Sequence, residues 1–384
     1  MTTWGLYNGT LIAPEGMRPD AGVWITGETI QQIGTHPPEH IADAVDAQGG
    51  YILPGFIDVH IHGGAGADTM DATPAALATL SRHCAAHGVT GFLATTMSAT
   101  REALTAALKA IAAAQRDGPL PGARLLGAHL EGPYLATEQA GAQPRAHLRP
   151  ADPAEYRPWL ASGVVRMLTL APELPANHAL IREASAQGIC VVAGHTAATY
   201  EELLAAAPLG LSGVTHLGNA MTAFHHRRPG ALGAALTCDD LHAQLIADRV
   251  HLHPAAVALF IRAKTPARIL LITDATRAAG LGDGDFTLGE TPITVRDGIA
   301  RTADGALAGS TLTMDAAVRN LLADTNLGLE AIAQMAATNP ARALGLAAQT
   351  GSLAPGKAAD LVLLDRDTLA VRMTVVAGRI VHTA

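Results

Sequence analysis

The sequence predicts an α/β fold: a (β/α)8 TIM-like barrel with a small β-sandwich domain built from both chain termini. Three observations carry this. Between Tyr51 and about Thr276, eight short apolar runs alternate with Ala-rich stretches of helical periodicity. Runs that are apolar on both faces and alternate with helices belong to parallel sheets covered by helices, and eight such units make a barrel. Both chain ends instead carry short strand-like pieces split by Gly, Pro, Asn and Thr. Finally, the first run ends in His60-Ile61-His62-Gly63-Gly64, not in the glycine-rich phosphate loop that a doubly wound sheet needs there.

The elements follow in order. Strand-like pieces stand at Trp4–Tyr7, Gly22–Ile25 and Ile30–Ile33. The barrel runs are Ile57–His62, Val89–Thr95, Arg124–Leu130, Val164–Leu170, Ile189–Gly194, Gly213–His216, Leu241–Ala247 and Arg268–Thr273. Helices are expected between them, for example at Thr73–His87, Arg101–Gln115 and Asn177–Gln187. A Thr-, Gly- and Asp-rich segment at about 284–307 predicts a β-hairpin inserted after the eighth strand. Helices follow at Asp315–Ala323, Leu329–Ala336 and Pro340–Leu344, the last begun by Asn339-Pro340 with proline at the first helical position. Strands return at Asp360–Leu364, Met373–Ala377 and Ile380–His382. The expected division is residues 1–53 with 350–384 as the small β domain, and 54–349 as the barrel.

Composition narrows the function. Apolar residues at 49 % and charged residues at 16 % are enough to fill a core, which excludes a disordered chain. A net charge of -8 and 3 % aromatics argue against nucleic acid, anionic lipid and base-stacking platforms. No apolar run reaches the roughly 18 residues of a membrane span, and the N-terminus reads as no signal peptide, so a cytoplasmic enzyme is expected. Cys84, Cys190 and Cys238 form no CxxC pair, which disfavours a disulfide framework or a thiolate zinc site. Cys190, inside an apolar run, reads as core.

The case for a metal site rests on position. With 17 histidines, roughly one HxH pair is expected by chance, so the pair alone says little. The strand ends say more. His60 and His62 close the first run and share a face, being two apart. Glu131, His195, His216 and Asp274 follow the third, fifth, sixth and eighth runs, and His251 follows the seventh. Barrel active sites form at these C-terminal ends. A set of imidazoles and carboxylates without sulfur suits a divalent zinc or iron, one or two ions per chain, with Glu131 as a candidate bridge. The chemistry expected is metal-assisted hydrolysis, with Asp274 taking the water's proton and passing it to a leaving nitrogen. His83 and His87 share a helix face, but no glutamate follows His83, so they read as a solvated face.

With these residues in place, the sequence resembles the amidohydrolase superfamily. Within it, it is similar to the N-acetylglucosamine-6-phosphate deacetylase family. LPGFIDVHIHG at 53–63 and GKAADLV at 356–362 mark the superfamily. HLEGPYL at 129–135, THLGNAM at 215–221 and LAGSTLTM at 307–314 select the deacetylases, and GHT at 194–196 and TDAT at 273–276 fit them. Many binuclear relatives bridge their ions with a carbamylated lysine on the fourth strand. The only lysines here are Lys109, Lys264 and Lys357, none on that strand, which leaves Glu131 as the bridge.

The resemblance implies that Glu131, His195 and His216 hold one ion, and His60 and His62, with Glu131 and Asp274, a second. It implies a phosphorylated amino sugar as substrate, deacetylated by a homodimer. Arg227, in the basic stretch Phe224–Gly230, would meet the phosphate, from its own or the partner subunit; Asn219, Ala220 and His251 would assist. Gln143, with Ala142 beside it, would donate to a sugar hydroxyl, and Leu307 and Ala308 would line the acetyl pocket. Three positions depart from the family pattern: Gln143 where some relatives have histidine, Arg228 where an acid is usual, and Gly218 where a large aromatic is usual. The last is expected to widen the pocket. Two other readings stay open. One is another amidohydrolase, such as an adenine deaminase or a deacetylase of an unphosphorylated or epimeric amino sugar. The other is a non-catalytic interaction protein, whose usual mark is lost metal ligands.

Overall fold

A computed structural model describes residues 3–13, 16–36, 41 and 43–384. The first two residues of the N-terminus read above, and residues 14, 15, 37–40 and 42 of the expected β domain, lie outside them. Eight parallel strands follow in chain order around a barrel: Phe56–Ile61, Val89–Thr95, Arg124–Glu131, Val165–Leu170, Cys190–Ala193, Leu211–Val214, His242–Ile246 and Ile269–Ile272. Each is followed by a helix, from Pro74–Ala86 after the first to Met314–Asp324 after the eighth. The strands are buried along nearly their whole length, as the continuous apolar runs require.

Local sequence explains the helices. Thr73 caps Pro74–Ala86 through its hydroxyl, which accepts from Ala76 N at 3.2 Å, with Pro74 at the first helical position. Arg101–Arg116 buries Leu104, Ala107, Leu108, Ile111 and Ala114, a stripe at helical spacing. Each fully buried leucine or isoleucine there stabilises by about 1.5–3 kcal/mol. The helix stops at Asp117, before Gly118 at φ +112.

The barrel closes by a few backbone bonds rather than a long ladder. Asp274 N donates to His60 O at 2.8 Å, and His62 N and Gly63 N donate to Ala275 O at 2.9 and 3.0 Å. Asp58, fully buried, reinforces the seam. One carboxylate oxygen accepts from the Thr273 hydroxyl at 2.6 Å, and the other from His60 N at 3.1 Å. Burial pushes the Asp58 carboxyl up to about 6, although these donors work against the rise.

The terminal strands form a separate eight-stranded sheet. Tyr51–Pro54 stitches it, pairing in parallel with Thr3–Ala13 and antiparallel with Leu361–Leu364. The sheet has its own apolar cluster, drawn from both chain ends and including Leu6, Val23, Ile52, Leu361 and Val375. The turn before its last strand packs back against its first strands, with Trp4 Nε1 donating to Gly378 O at 3.0 Å. Gly378, at φ +72, lies so close to Gly27 that a Cβ would stand 2.0 Å from its carbonyl oxygen. No helix among the described residues is long and apolar enough to cross a membrane.

Two local expectations need correction. The segment at 284–307 holds three strands, Gly284–Leu288, Thr291–Arg296 and Ile299–Thr302, not a two-stranded hairpin. The helix at Asn339-Pro340 is present, as Asn339–Ala343 with proline in its first turn, but it is not a separate one. The chain runs on from Leu329–Ala333 through a π turn at Gln334–Thr338 into Asn339–Ala343. The widened turn accommodates Pro340, which has no N–H to give.

Removing the seam hydroxyl tests its weight. Thr273→Val leaves the buried Asp58 carboxylate without that donor and should destabilise the fold by about 1–3 kcal/mol in chemical denaturation. A change below about 0.5 kcal/mol would show that the hydroxyl does not hold the seam.

Candidate metal-dependent active site

All six predicted metal ligands converge at one end of the barrel. His60 and Glu131 lie in the first and third strands, with His62 one residue beyond the first. His195, His216 and Asp274 stand two residues past the fifth, sixth and eighth strands, with φ of +47, +29 and +51. Left-handed backbone costs a non-glycine residue roughly 1–2 kcal/mol. Here it turns three ligands off their strand ends into the centre. Neighbouring backbone bonds hold the turns: Ala136 N to His195 O, Asn219 N to His216 O and Ser310 N to Asp274 O, at 2.9, 2.9 and 2.7 Å.

The ligand atoms form two triangles. In the first, His60 Nε2, His62 Nε2 and Asp274 Oδ1 are each 3.3 Å apart. In the second, Glu131 Oε1 lies 3.3 Å from both His195 Nε2 and His216 Nε2, which are 3.1 Å from each other. Bonds of about 2.0–2.1 Å to a tetrahedral ion give donor–donor edges of about 3.3–3.4 Å. Both triangles therefore match one face of such a tetrahedron. Glu131 also faces the first group, with Oε1 3.5 Å from His60 Nε2 and Oε2 3.3 Å from His62 Nε2.

The hydrogen-bond network fits a cation. His195 Nδ1 donates to Gln139 O at 2.9 Å, and His216 Nδ1 to Asn219 O at 3.2 Å. Each neutral ring then presents a bare Nε2 lone pair to the other, and two acceptors cannot bond each other. His60 Nδ1 donates to Gln244 Oε1 at 2.9 Å, an oxygen that also accepts from the Thr215 hydroxyl at 2.6 Å. Burial opposes charge throughout. Even so, His60 and His62 hold Asp274 down at about 2, and Glu131 is held well below the carboxylate range by His60, His195 and His216. In return, the carboxylates raise His60 and His62 against their burial. A cation takes the place of those protons, so ion uptake releases protons.

The surrounding layer holds residues that motif reading passed over. His129 is fully buried beside His60, bonded to Val59 O and the Thr169 hydroxyl at 3.0 and 2.7 Å, and belongs to neither triangle. Asp58 and Gln244 were also missed. The available signal was a polar residue inside an otherwise apolar strand, which must have a buried partner. His83 and His87 are not a solvated face. His83 is buried, lowered to about 4 by that burial and by His87, and His87 bonds Asp315 at 3.0 Å. Asp315, in the Met314–Asp324 helix, meets His87, while Gly64 and Gly280 pack against the His83 ring.

An open cleft of about 820 Å³, solvent included, lies over the triangles. Ala142, Gln143, Asn219, Ala220, His251 and Leu307 line it, with Met97, Glu138, Gln139 and Leu288, which the sequence did not single out. Ala308 does not line it. Its side chain is buried in the cluster of the inserted strands, because the extended chain turns successive side chains to opposite sides. Gly218 does not widen it either. At φ +86, its Cβ position points to Phe260 and Leu252, behind the wall. Arg227 stands apart, on an exposed turn closed by paired His225–Arg228 backbone bonds, with its guanidinium 2.8 Å from His226 Nε2. Among the described residues, no lysine or arginine lines the cleft. His251 is its candidate for positive charge. Burial lowers its pKa, but Asp248, 2.6 Å from Nδ1, more than offsets this and raises it.

Fold and site together define a class. Residues 51–381 match the Amidohydrolase family, and the chain belongs to it. The relatives narrow the comparison to one kind of enzyme. The chain is 42 % identical over 333 residues to N-acetylglucosamine-6-phosphate deacetylase of Bacillus subtilis (strain 168), covering 86 % of this chain and 84 % of that protein. It is 41 % identical over 358 residues to N-acetylgalactosamine-6-phosphate deacetylase of Escherichia coli O157:H7, covering 92 % and 93 %. Among solved structures, it superposes with a TM-score of 0.93 on a mutant N-acetyl-D-glucosamine-6-phosphate deacetylase of Mycobacterium smegmatis in complex with N-acetyl-D-glucosamine-6-phosphate. Identity there is 34 %, and both chains are covered fully.

The two triangles predict two separable ions. Metal analysis of protein loaded with excess zinc should give close to two ions per chain. His216→Asn and His60→Asn should each lose about one, and the double variant both. About one ion per chain in the wild type, or loss of all metal in either single variant, would show one shared site instead.

Proposed function

We propose that this enzyme hydrolyses the acetamide of N-acetyl-D-glucosamine 6-phosphate to D-glucosamine 6-phosphate and acetate, in amino-sugar metabolism. The observation that carries this is the pair of ligand triangles, with Asp274 a corner of one, at the floor of a cleft lined by polar groups. Full-length similarity to deacetylases of phosphorylated amino sugars supports the substrate class. Residues 54–349 would carry the chemistry, with 1–53 and 350–384 as the accessory β domain. Three unpaired cysteines fit a cytoplasmic setting.

Zinc or iron suits the donor set. Such an ion supplies Lewis acidity, polarising the amide carbonyl and making water acidic enough to lose a proton near neutral pH. The chain's own groups do the rest. Asp274, with Oδ1 3.3 Å from both His60 Nε2 and His62 Nε2, would accept the proton of the attacking water. The carbonyl carbon gains the water oxygen, and the C–N bond breaks as Asp274 returns the proton to nitrogen. Without that proton the amine would leave poorly. Leu307, in the cleft wall, would meet the acetyl group, and Asn219 and His251, also in that wall, would meet the phosphate.

The acetate released from N-acetylglucosamine 6-phosphate, with and without chelator, tests the reaction. The wild type should release it only when metal-loaded, and much more slowly from the unphosphorylated sugar. Asp274→Asn should lower kcat by about 10²–10⁴-fold. No release from either sugar by metal-loaded protein would overturn the substrate. The galactosamine relative favours a second reading, the epimeric 6-phosphate, so that sugar belongs in the same assay.

We further propose that the enzyme is a homodimer in which Arg227 reaches the partner's cleft. Support comes from the absence of arginine or lysine among the described lining residues and from the exposure of Arg227 beside exposed Phe224. Arginine's planar fork suits a phosphate. If so, mixing inactive Arg227→Ala and Asp274→Asn chains should restore activity, since one composite site per hybrid dimer keeps both groups. No recovery in demonstrated hybrids would place Arg227 outside the reaction.

A further inference from the structure

We infer that Gln143 is a positioning residue for the metal ligand Glu131, not chiefly a sugar contact, and that it sets how tightly the site holds its ion. The inference rests on the metal-dependent reading above. Gln143 is buried, although it lies in the loop that forms one wall of the cleft. Both ends of its amide are engaged. Ser98 N donates to Oε1 at 2.8 Å, and Nε2 donates to Glu131 Oε2 at 2.8 Å. A backbone N–H can only donate, so it fixes which end of the amide is oxygen. The NH2 is thereby turned onto the carboxylate.

That bond decides the rotation of Glu131. With Oε2 held by Gln143, Oε1 is left pointing between His195 and His216, 3.3 Å from each. A free carboxylate would rotate and lose one of these edges. The same loop orients a second ligand, since His195 Nδ1 donates to Gln139 O at 2.9 Å and Ala136 N to His195 O at 2.9 Å. Two of the three ligands in this triangle thus take their orientation from the 136–143 segment. Groups that orient metal ligands typically change metal affinity by about 10–100-fold when removed.

The test is metal affinity in purified protein. Zinc would be titrated against a chelating competitor for the wild type, Gln143→Met and Gln143→His. Methionine keeps the bulk without a donor, whereas histidine restores a ring N–H. The expected result is about 10–100-fold weaker binding at one of the two ions in Gln143→Met, with most of the loss recovered in Gln143→His. KM for the sugar phosphate should stay within a few-fold, and the loss of kcat should be reversed by excess zinc. Gln143→Asn, too short to span Ser98 and Glu131 together, gives a second variant if Gln143→Met does not fold. Wild-type zinc affinity in a folded Gln143→Met or Gln143→Asn, with only KM raised, would overturn the inference and leave Gln143 as a substrate contact. Failure of the wild type itself to bind zinc would be a different result, because it would remove the metal reading on which this rests.

Discussion

The seam between the first and eighth barrel strands is built from the residues that would hold the metal. Asp274 N donates to His60 O, and Asp58 takes the Thr273 hydroxyl on one carboxylate oxygen and His60 N on the other. Closing a sheet into a barrel needs a last pairing, and here it is short. One of the two ligand triangles therefore cannot widen without opening the barrel, and the barrel cannot slip without moving His60 against Asp274. Much of the cost of arranging those ligands is met by the fold.

The second triangle is fixed differently. Its histidines come from left-handed positions just past their strands, and its carboxylate ends the third strand. Each is oriented from outside the ladder: His195 by Gln139 O, His216 by Asn219 O and Glu131 by Gln143. These partners lie in the loops that also wall the cleft. Strand positions give the site its rigidity, and the loops give it aim. The two ion positions thus differ in what supports them, although Glu131 faces both.

The cleft shows what one chain does and does not provide. It holds Asp274, the proposed proton carrier, every corner of the two triangles except the fully buried His60, and a histidine whose charge is favoured by Asp248. It holds no arginine or lysine among the described lining residues, while Arg227 and Arg228 stand exposed on a neighbouring turn. An anion of two charges meets little positive charge from this chain alone. With the phosphorylated sugar proposed above as substrate, its phosphate end is where a second subunit would have a physical reason to contribute.

The sequence by itself determined the barrel, because period and run length distinguish buried parallel strands from amphipathic helices, and helices such as Arg101–Arg116 carry their caps and stripes locally. It also picked out the candidate ligand set. His60 and His62 share a strand face two residues apart, and the other ligands sit at strand ends, which a barrel brings together. Tertiary structure alone decided the rest, since it depends on contacts between residues far apart in the chain. Asp58 and Gln244 read as polar interruptions until Thr273, Thr215 and His60 meet them. Gln143 reads as a loop residue open to a ligand until Ser98 and Glu131, 45 and 12 positions away, take both ends of its amide. Gly218 and Ala308 read as cleft residues until the backbone turns them toward packed interior. Spacing along a strand fixes which residues share a face. Which way a loop side chain points is set by partners that no local pattern names.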